Sequence, residues 1–464
     1  EWQGGERTTI PRQRWRFAKN EGGQPVPNAD YVWLEGGFEP GKFYEVVYQT
    51  NNCPVAGVGL LSMRDFASFL RFASEADGNP CAGRLDRAHS YGVSQSGRFL
   101  RLFLSLGLNL DEEGRQVFDG IIPQVAGGRR GQFNQRYAQP SDQSMPSFGH
   151  LMPFADDPQT DPLTGETAGL LDRQRQLGGL PKMFTINTSA EYWRGDASLL
   201  HTDLADTRDV DPPENVRVYL WASTQHGNGS VPLIHENAEG QRGANGLNAV
   251  TYAPLTRAAL VNLDRWVTDG IEPPASTVPR LDRGTAITPE DALAFFHGIP
   301  GAVVADPERR LMVWRTDPGD AAVGVMQHVP AKLGERYQNY VSALDSDGNE
   351  VGGVRMPDVS VPVATYTGWN PRDPETGGVG QIHLMLGSSF PFAATRAERE
   401  RTGDPRPSIE ERYRDRDDYL AKVRAAAEAL VEQRYMLAED VDLAVRLAGQ
   451  RYDAFAPTPA GAAR

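Results

Sequence analysis

Only two cysteines, Cys53 and Cys81, occur in 464 residues. That allows at most one internal disulfide; the spacing suits a disulfide or two buried free thiols, and suits metal ligation poorly without histidines nearby. Long apolar runs are missing as well. No stretch of about 18 apolar residues and no positive-then-apolar leader occurs, so neither a membrane span nor a retained signal peptide is expected. Runs of basic residues are also missing. The formal net charge is −14, and no segment gathers Lys and Arg, which argues against a phosphate-tracking surface and hence against DNA or RNA as a partner. The first residue is Glu1 rather than methionine, which fits a mature secreted form, a processed chain or a trimmed one; a secreted or periplasmic location is favoured over a cytoplasmic one. Internal repeats and low-complexity tracts are absent.

What is present is an ordinary globular composition, with 39% apolar and 23% charged residues, enough to build a sizeable core. The length exceeds what one core usually serves, so one large domain with insertions, or two domains, is expected. Residues 1–60 read as a β-rich opening segment, with strand-like pieces at Trp15 to Phe17, Tyr31 to Leu34 and Phe43 to Tyr48 between Gly, Pro and Asn turns. Ser62 is the expected cap of a helix carrying Met63, Phe66, Phe69, Leu70 and Ala73 at helical spacing.

Residues 61–272 then alternate as an α/β sheet with crossover helices does. The expected strands are Ala88 to Val93, Gly120 to Ala126, Lys182 to Asn187 and Val216 to Trp221; the expected helices are Gly97 to Leu106 and Leu255 to Val267. Between them lies a polar stretch, about 127–180, rich in Pro, Asp, Gly and Gln. A loop that long in a compact domain is usually functional, so it reads as an inserted lid. Residues 273–464 form a C-terminal strand-and-helix (α+β) extension packed on the core. A hairpin is expected at Asp345 to Asn349, a capping box at Ser408 and Glu411, and an apolar core stripe at Tyr413, Leu420, Val423, Ala427 and Leu430.

The chemistry concentrates in AHSYGVSQSGRFLRLFL, residues 88–104: an apolar strand, a tight turn and a helix. A serine becomes a nucleophile when a strained turn exposes it, a histidine takes its proton and a carboxylate orients that histidine. Ser94 and Ser96 compete. In a nucleophile elbow the residues two before and two after the nucleophile must be small. Those neighbours are Gly92 and Ser96 for Ser94, but Ser94 and Arg98 for Ser96, so Ser94 is preferred. The histidine should follow a later strand; His226, in ASTQHGNG after Val216 to Trp221, has that setting and the other histidines fit less well. The acid should lie between, in TSAEYWRGDASLL, where Glu191 stands closer to the strand end and Asp196 is the alternative. The order Ser94, Glu191, His226 is the Ser, acid, His order of α/β-hydrolases. The Gln95 backbone N–H is the expected oxyanion donor; candidates for a second, around Gln49 to Asn52 or Gly36 to Phe38, are weak. Arg129 and Trp193 are weaker candidates for substrate contact.

Two other motifs dissolve on inspection. GGFEPGK, residues 36–42, has phosphate-loop spacing but is followed by Phe43 and joins two expected strands. Asp345 to Asn349 has calcium-loop spacing, yet Glu350 stands where the sharp-turn glycine belongs. Asp156, Asp157 and Asp161 read as a solvated Asx-rich loop rather than an ion site. No metal and no cofactor is expected.

The chain also resembles the bacterial α/β-hydrolase domain 10 family. The resemblance rests on GGFEPGKFYEVVY, GVGLLSMRDFASFLRF, YGVSQSGRFLR, FDGIIPQVAGGRRGQFN, NTSAEYWRGDASLLHTD, TQHG, DRWVTDGIEPP, TGWNPR and DPRPSIEERY, spread over nearly the whole length. It implies an α/β-hydrolase fold with esterase-like activity and places Ser94, Glu191 and His226 at the matching motifs; it brings no substrate. Members carry further residues ahead of the position of Trp15, with strands suited to supply a second oxyanion donor, and this chain is expected to start after them. The tannase and feruloyl-esterase group has a similar elbow, but there a cysteine usually precedes the nucleophile, where this chain has Val93. The expectation is therefore a serine esterase acting on a small-molecule ester through an acyl-enzyme. The rival readings are a peptidase or lactonase with the same residues, and a binding module that keeps the fold without turnover. The sequence fixes no oligomeric state.

Overall fold

The computed structural model describes residues 5–49, 51, 58–131, 133, 151–317, 328 and 332–456. It opens with an antiparallel hairpin of β1 (Trp15–Glu21) and β2 (Gln24–Leu34). Gly22 and Gly23 make its turn with φ of 59° and 84°, the left-handed pair that a two-residue hairpin needs and that glycine adopts without steric cost. Phe43 to Tyr48, expected as a strand, forms no regular structure. Helix α1 (Val58–Phe72) begins before the expected cap; Ser62 lies inside it and donates its hydroxyl back to the Val58 carbonyl at 3.0 Å, the usual local bond of a mid-helix serine. Its apolar residues do not all face the core: Leu60 is buried, but Phe66 is 63% exposed.

The centre is a four-stranded parallel sheet, ordered β3 (His89–Val93), β4 (Gly120–Gln124), β7 (Lys182–Thr188), β8 (Val216–Trp221). Strand β4 is buried at every position and β7 at all but its first, as central strands covered on both faces of a parallel sheet are. Successive side chains point to opposite faces. Ile121, Met183, Val216 and Val218 pack under α2 (Gln95–Ser105) with Leu100, Phe103 and Leu104. Ile122, Phe184, Ile186, Tyr219 and Trp221 meet α5 (Ala253–Asp269) through Leu255, Ala259, Leu263 and Trp266.

Between β4 and β7, the described part of the insertion contains β5 (Gln159–Thr160), β6 (Thr167–Ala168) and α3 (Asp172–Leu177). It is built into the body of the protein: Met152, Phe154, Leu170 and Leu171 are buried. Of its three aspartates, Asp157 is half-exposed as expected, but Asp156 and Asp161 are buried rather than solvated. Asp156 lies 3.9 Å from Arg101 with both side chains buried, and Asp161 accepts from Arg315 at 3.1 Å and from the Tyr337 hydroxyl at 2.8 Å. The rest of the expected lid, 134–150, lies outside the described residues, as does Cys53; Cys81 is a half-buried free thiol.

The C-terminal extension completes the sheet. Thr277 and Val354 each pair in parallel with the outer edge of β8. Asp345 to Asn349 form the expected turn, with Asp345 N–H donating to Asn349 O at 2.8 Å and Gly348 at φ 79°. Ser408 and Glu411 do form a capping box, but on the short helix Ile409–Arg412; the long helix Arg416–Glu432 is capped separately by Asp415. Of the expected stripe, Tyr413, Val423, Ala427 and Leu430 are buried. Among the described residues no helix is long and apolar enough to cross a membrane.

Candidate active site

Strand β3 runs into α2 through one residue, Ser94, at φ 57° and ψ −113°. A side chain in that region is strained, and it persists where the surroundings enforce it. Here Ser94 N–H donates to the Gln124 carbonyl of β4 at 2.8 Å, and the turn is too tight for larger neighbours. A Cβ on Gly92 would stand 2.6 Å from the Ser96 carbonyl oxygen, and one on Gly97 would stand 2.9 Å from that of Gln124. The crowding therefore falls on Gly92 and Gly97; Ser96 itself is exposed, and Arg98, one turn on, is buried. Gln95 opens α2, and helix geometry aims its N–H toward the helix start, where Ser94 sits.

The other two residues arrive from neighbouring strand ends. After β7 the chain turns into α4 (Ser189–Trp193), and Thr188 and Glu191 form a reciprocal capping box. Glu191 is fully buried; its Oε2 accepts from Thr188 N–H at 2.8 Å and from the Thr188 hydroxyl at 2.6 Å. Its Oε1 lies 2.7 Å from His226 Nδ1, and His226 Nε2 lies 2.9 Å from Ser94 Oγ. Burial alone would push the Glu191 carboxyl up; the charge and hydrogen bond of His226, the Arg194 guanidinium and the Thr188 hydroxyl outweigh it and hold the group below its ordinary value. His226 is held from behind, where the Tyr252 hydroxyl donates to its carbonyl at 2.6 Å. Two residues earlier, Thr224 also ties back, its hydroxyl donating to Trp221 O at 2.6 Å.

Asp196, the alternative acid, does not reach the histidine. It is buried between Arg129, at 2.9 Å, and Arg194, at 3.0 Å; burial opposes its ionisation, but the two guanidiniums hold the carboxyl far below its ordinary value. Arg129 is accordingly not a surface charge: it is buried against Asp196. Trp193 is buried as well and packs 5.9 Å from the Trp369 ring rather than walling an open cleft. Arg98 belongs to the same buried group, and burial together with Arg129 and Arg194 lowers its guanidinium to about 9. Among the other histidines, His201 is buried with its Nε2 2.9 Å from the Tyr192 hydroxyl, and His89 lies 3.1 Å from Asp264; His150 lies outside the described residues.

A cavity of about 390 Å³ opens beside the elbow, lined among others by Met63, Tyr91, Gln95, Ser96 and Phe99. Of the candidate second oxyanion donors, Gly36 to Phe38 are exposed, while Thr50 and Asn52 lie outside the described residues. Among the described residues no three His, Cys, Asp or Glu side chains gather as a metal site would require. Sequence reading missed Arg194, which nothing local marks, and the capping role of Glu191, which Thr188-x-x-Glu191 did signal.

No curated protein and no solved structure matches the chain. The profile of one family does match, over residues 37–446, and it is described as an alpha/beta hydrolase domain. That span includes the sheet, the elbow and most of the C-terminal extension, and it agrees with the resemblance drawn from the sequence motifs: this chain belongs to the alpha/beta hydrolase domain family.

Proposed function

We propose that this hydrolase is a serine esterase that cleaves carboxylic esters through an acyl-enzyme. One observation carries the reading: a single imidazole, that of His226, is hydrogen-bonded on one side to Ser94 Oγ at 2.9 Å and on the other to the buried Glu191 carboxylate at 2.7 Å. Both distances lie within the reach that proton transfer needs. In this reading Ser94 Oγ attacks the ester carbonyl while His226 Nε2 takes its proton. Glu191 fixes the tautomer with the proton on Nδ1 and stabilises the imidazolium that forms. The Gln95 N–H meets the charge that develops on the carbonyl oxygen. His226 then returns the proton to the leaving alkoxide. Water attacks the acyl-Ser94 carbonyl, giving up a proton to His226; as the acyl–Oγ bond breaks, His226 returns that proton to Ser94 Oγ and the carboxylic acid leaves. The cavity beside Gln95 would receive an apolar part of the ester. Residues 61–272 would carry the chemistry, and 273–464 would brace it.

A fluorophosphonate forms a stable covalent bond with an activated serine. Wild-type protein should be labelled and should hydrolyse p-nitrophenyl acetate, and Ser94→Ala should do neither. Labelling or turnover that survives this substitution refutes the assignment.

A further inference from the structure

Glu350 has a role that the calcium-loop pattern it breaks did not suggest. Its side chain is buried, and among the described residues no cation pairs with it. A buried carboxylate without a counter-charge is costly unless hydrogen bonds compensate it. The compensation comes from the two loops that carry the acid and the histidine. The Ser189 hydroxyl donates to the carboxylate, and Ser189 opens α4 two residues before Glu191. Ser223 N–H donates to the same oxygen at 2.7 Å, and Ser223 stands three residues before His226. The Trp193 side chain is a further hydrogen-bonding neighbour.

The contact is reciprocal and rigid. Glu350 N–H donates to Ser223 Oγ at 2.8 Å, and Ser189 Oγ accepts from Thr224 N–H at 3.3 Å. Ser223 sits at φ 57°, a left-handed conformation that serine rarely holds without enforcement. Glu350 itself is anchored, because a few residues later Val354 N–H donates to Leu220 O at 2.8 Å and Ala222 N–H donates to Val354 O at 3.0 Å. There is no slack for a side chain at Gly353, whose Cβ would stand 2.5 Å from the Leu220 carbonyl oxygen.

We infer that Glu350 is a positioning residue for the catalytic group: its carboxylate ties Ser189 to Ser223 and thereby sets the separation of Glu191 from His226. The inference rests on the proposed function, since it assumes that those two residues act together on Ser94. Burial pushes the Glu350 carboxyl up to about 7, opposed by its hydrogen bonds from Ser189, Ser223 and Trp193. Glutamine therefore imitates its neutral form while keeping an oxygen to accept one of these bonds.

The test uses the full chain as wild type, Glu350→Ala, Glu350→Gln, Ser189→Ala and the Ser189→Ala/Glu350→Ala double variant. Each is assayed for p-nitrophenyl acetate hydrolysis, fluorophosphonate labelling rate and thermal midpoint. Displacing catalytic groups by about an ångström costs up to about 100-fold, so Glu350→Ala should lose about 10- to 100-fold in kcat and in labelling rate. KM should stay within about twofold of wild type, and Glu350→Gln should recover most of the loss. The double variant should lose less than the product of the single losses, because both substitutions remove one link. If Glu350→Ala does not fold, the pairing of Ser189→Ala with Glu350→Gln carries the same comparison. An alanine variant that melts earlier yet keeps the wild-type kcat makes Glu350 structural only and overturns the inference, as does strict multiplicativity in the double variant. Failure of the functional reading looks different: Ser94→Ala would then be as active as wild type, whatever the Glu350 series does.

Discussion

Replacing Glu191 by glutamine separates its two tasks. The residue caps α4 with one oxygen and holds His226 with the other, and glutamine at the third helical position still accepts from the capping backbone. Loss of stability should therefore stay near 1 kcal/mol, the usual size of a capping term. The chemistry should suffer far more. With a carboxylate and an imidazolium about 4 Å apart between charge centres and an effective dielectric of about 20, their attraction is about 4 kcal/mol. At about 1.4 kcal/mol per tenfold this is roughly 10³ in rate. The neutral amide can also donate to Nδ1 and so favour the wrong tautomer, which in the serine-protease triad brings the loss to about 10⁴. The measurement is kcat on p-nitrophenyl acetate at pH 8, with the thermal midpoint taken on the same sample. The expected result is a loss of about 10³ to 10⁴ in kcat with a nearly unchanged midpoint. A folded Glu191→Gln protein that loses less than about tenfold would refute the role given to the carboxylate.

Asp196 should behave in the opposite way. Asp196→Ala leaves Arg129 and Arg194 facing each other without their shared buried counter-ion, a change that typically costs about 3–5 kcal/mol. Urea unfolding should show this, and a cost below about 1 kcal/mol would contradict the buried pairing. His201 gives a pH signature. Burial lowers its imidazole to about 3, so the folded protein keeps it neutral while the unfolded chain takes up a proton near pH 6.5. A folded-state value below the unfolded one means stability is complete above about pH 6.5 and is lost as pH falls toward 3, at about 1.4 kcal/mol per pH unit. The carboxyls of Asp156 and Glu350, raised by burial to about 6 and about 7, act with the opposite sign. The decisive quantity is thus the difference between wild type and His201→Gln in unfolding free energy between pH 7 and 5. Equal slopes would show that His201 does not contribute.

The parallel sheet was legible because its strands are short apolar runs bounded by turn residues, and because each strand end that matters carries a polar cluster. Val216–Trp221 was located to the residue, and the other strands within two. Phe43 to Tyr48 misled because a run of aromatic and β-branched residues specifies a strand only where its surroundings supply a pleated surface to join. Ser62 misled because a serine before an apolar run has the same signature whether it caps a helix or lies one turn inside it. The buried aspartates of the insertion failed for a more general reason. Asp161 is neutralised by Arg315, far along the chain, and no local pattern reports so distant a counter-charge. Glu350 is the same kind of case: its partners, Ser189 and Ser223, precede it by more than a hundred residues. Ser94, Glu191 and His226, by contrast, each stand within five residues of the end of a strand of one parallel sheet, where topology brings them to one edge.

That contrast bears on where the functional unit ends. By sequence texture the α/β core stops near residue 272, yet the extension beyond it shares the core's interior. Val354, Met356, Val359, Tyr366, Leu430 and Val441 pack in one cluster with Tyr219, Trp221 and Trp266. At about 1.5–3 kcal/mol for each buried large side chain, losing these six forfeits on the order of 10 kcal/mol, comparable to the whole stability of a typical domain. The extension also reaches the loops of the site. Gly368 lies so close to Ser189 that a Cβ would stand 2.4 Å from the serine side chain, and Gly387 N–H donates at 3.0 Å to the side chain of Gln225, next to His226. A chain ending at residue 272 should therefore show no cooperative thermal transition and no fluorophosphonate labelling at Ser94. A folded, labelled 1–272 fragment would show that the core organises its own site and would remove the reason for assigning the extension any part in catalysis.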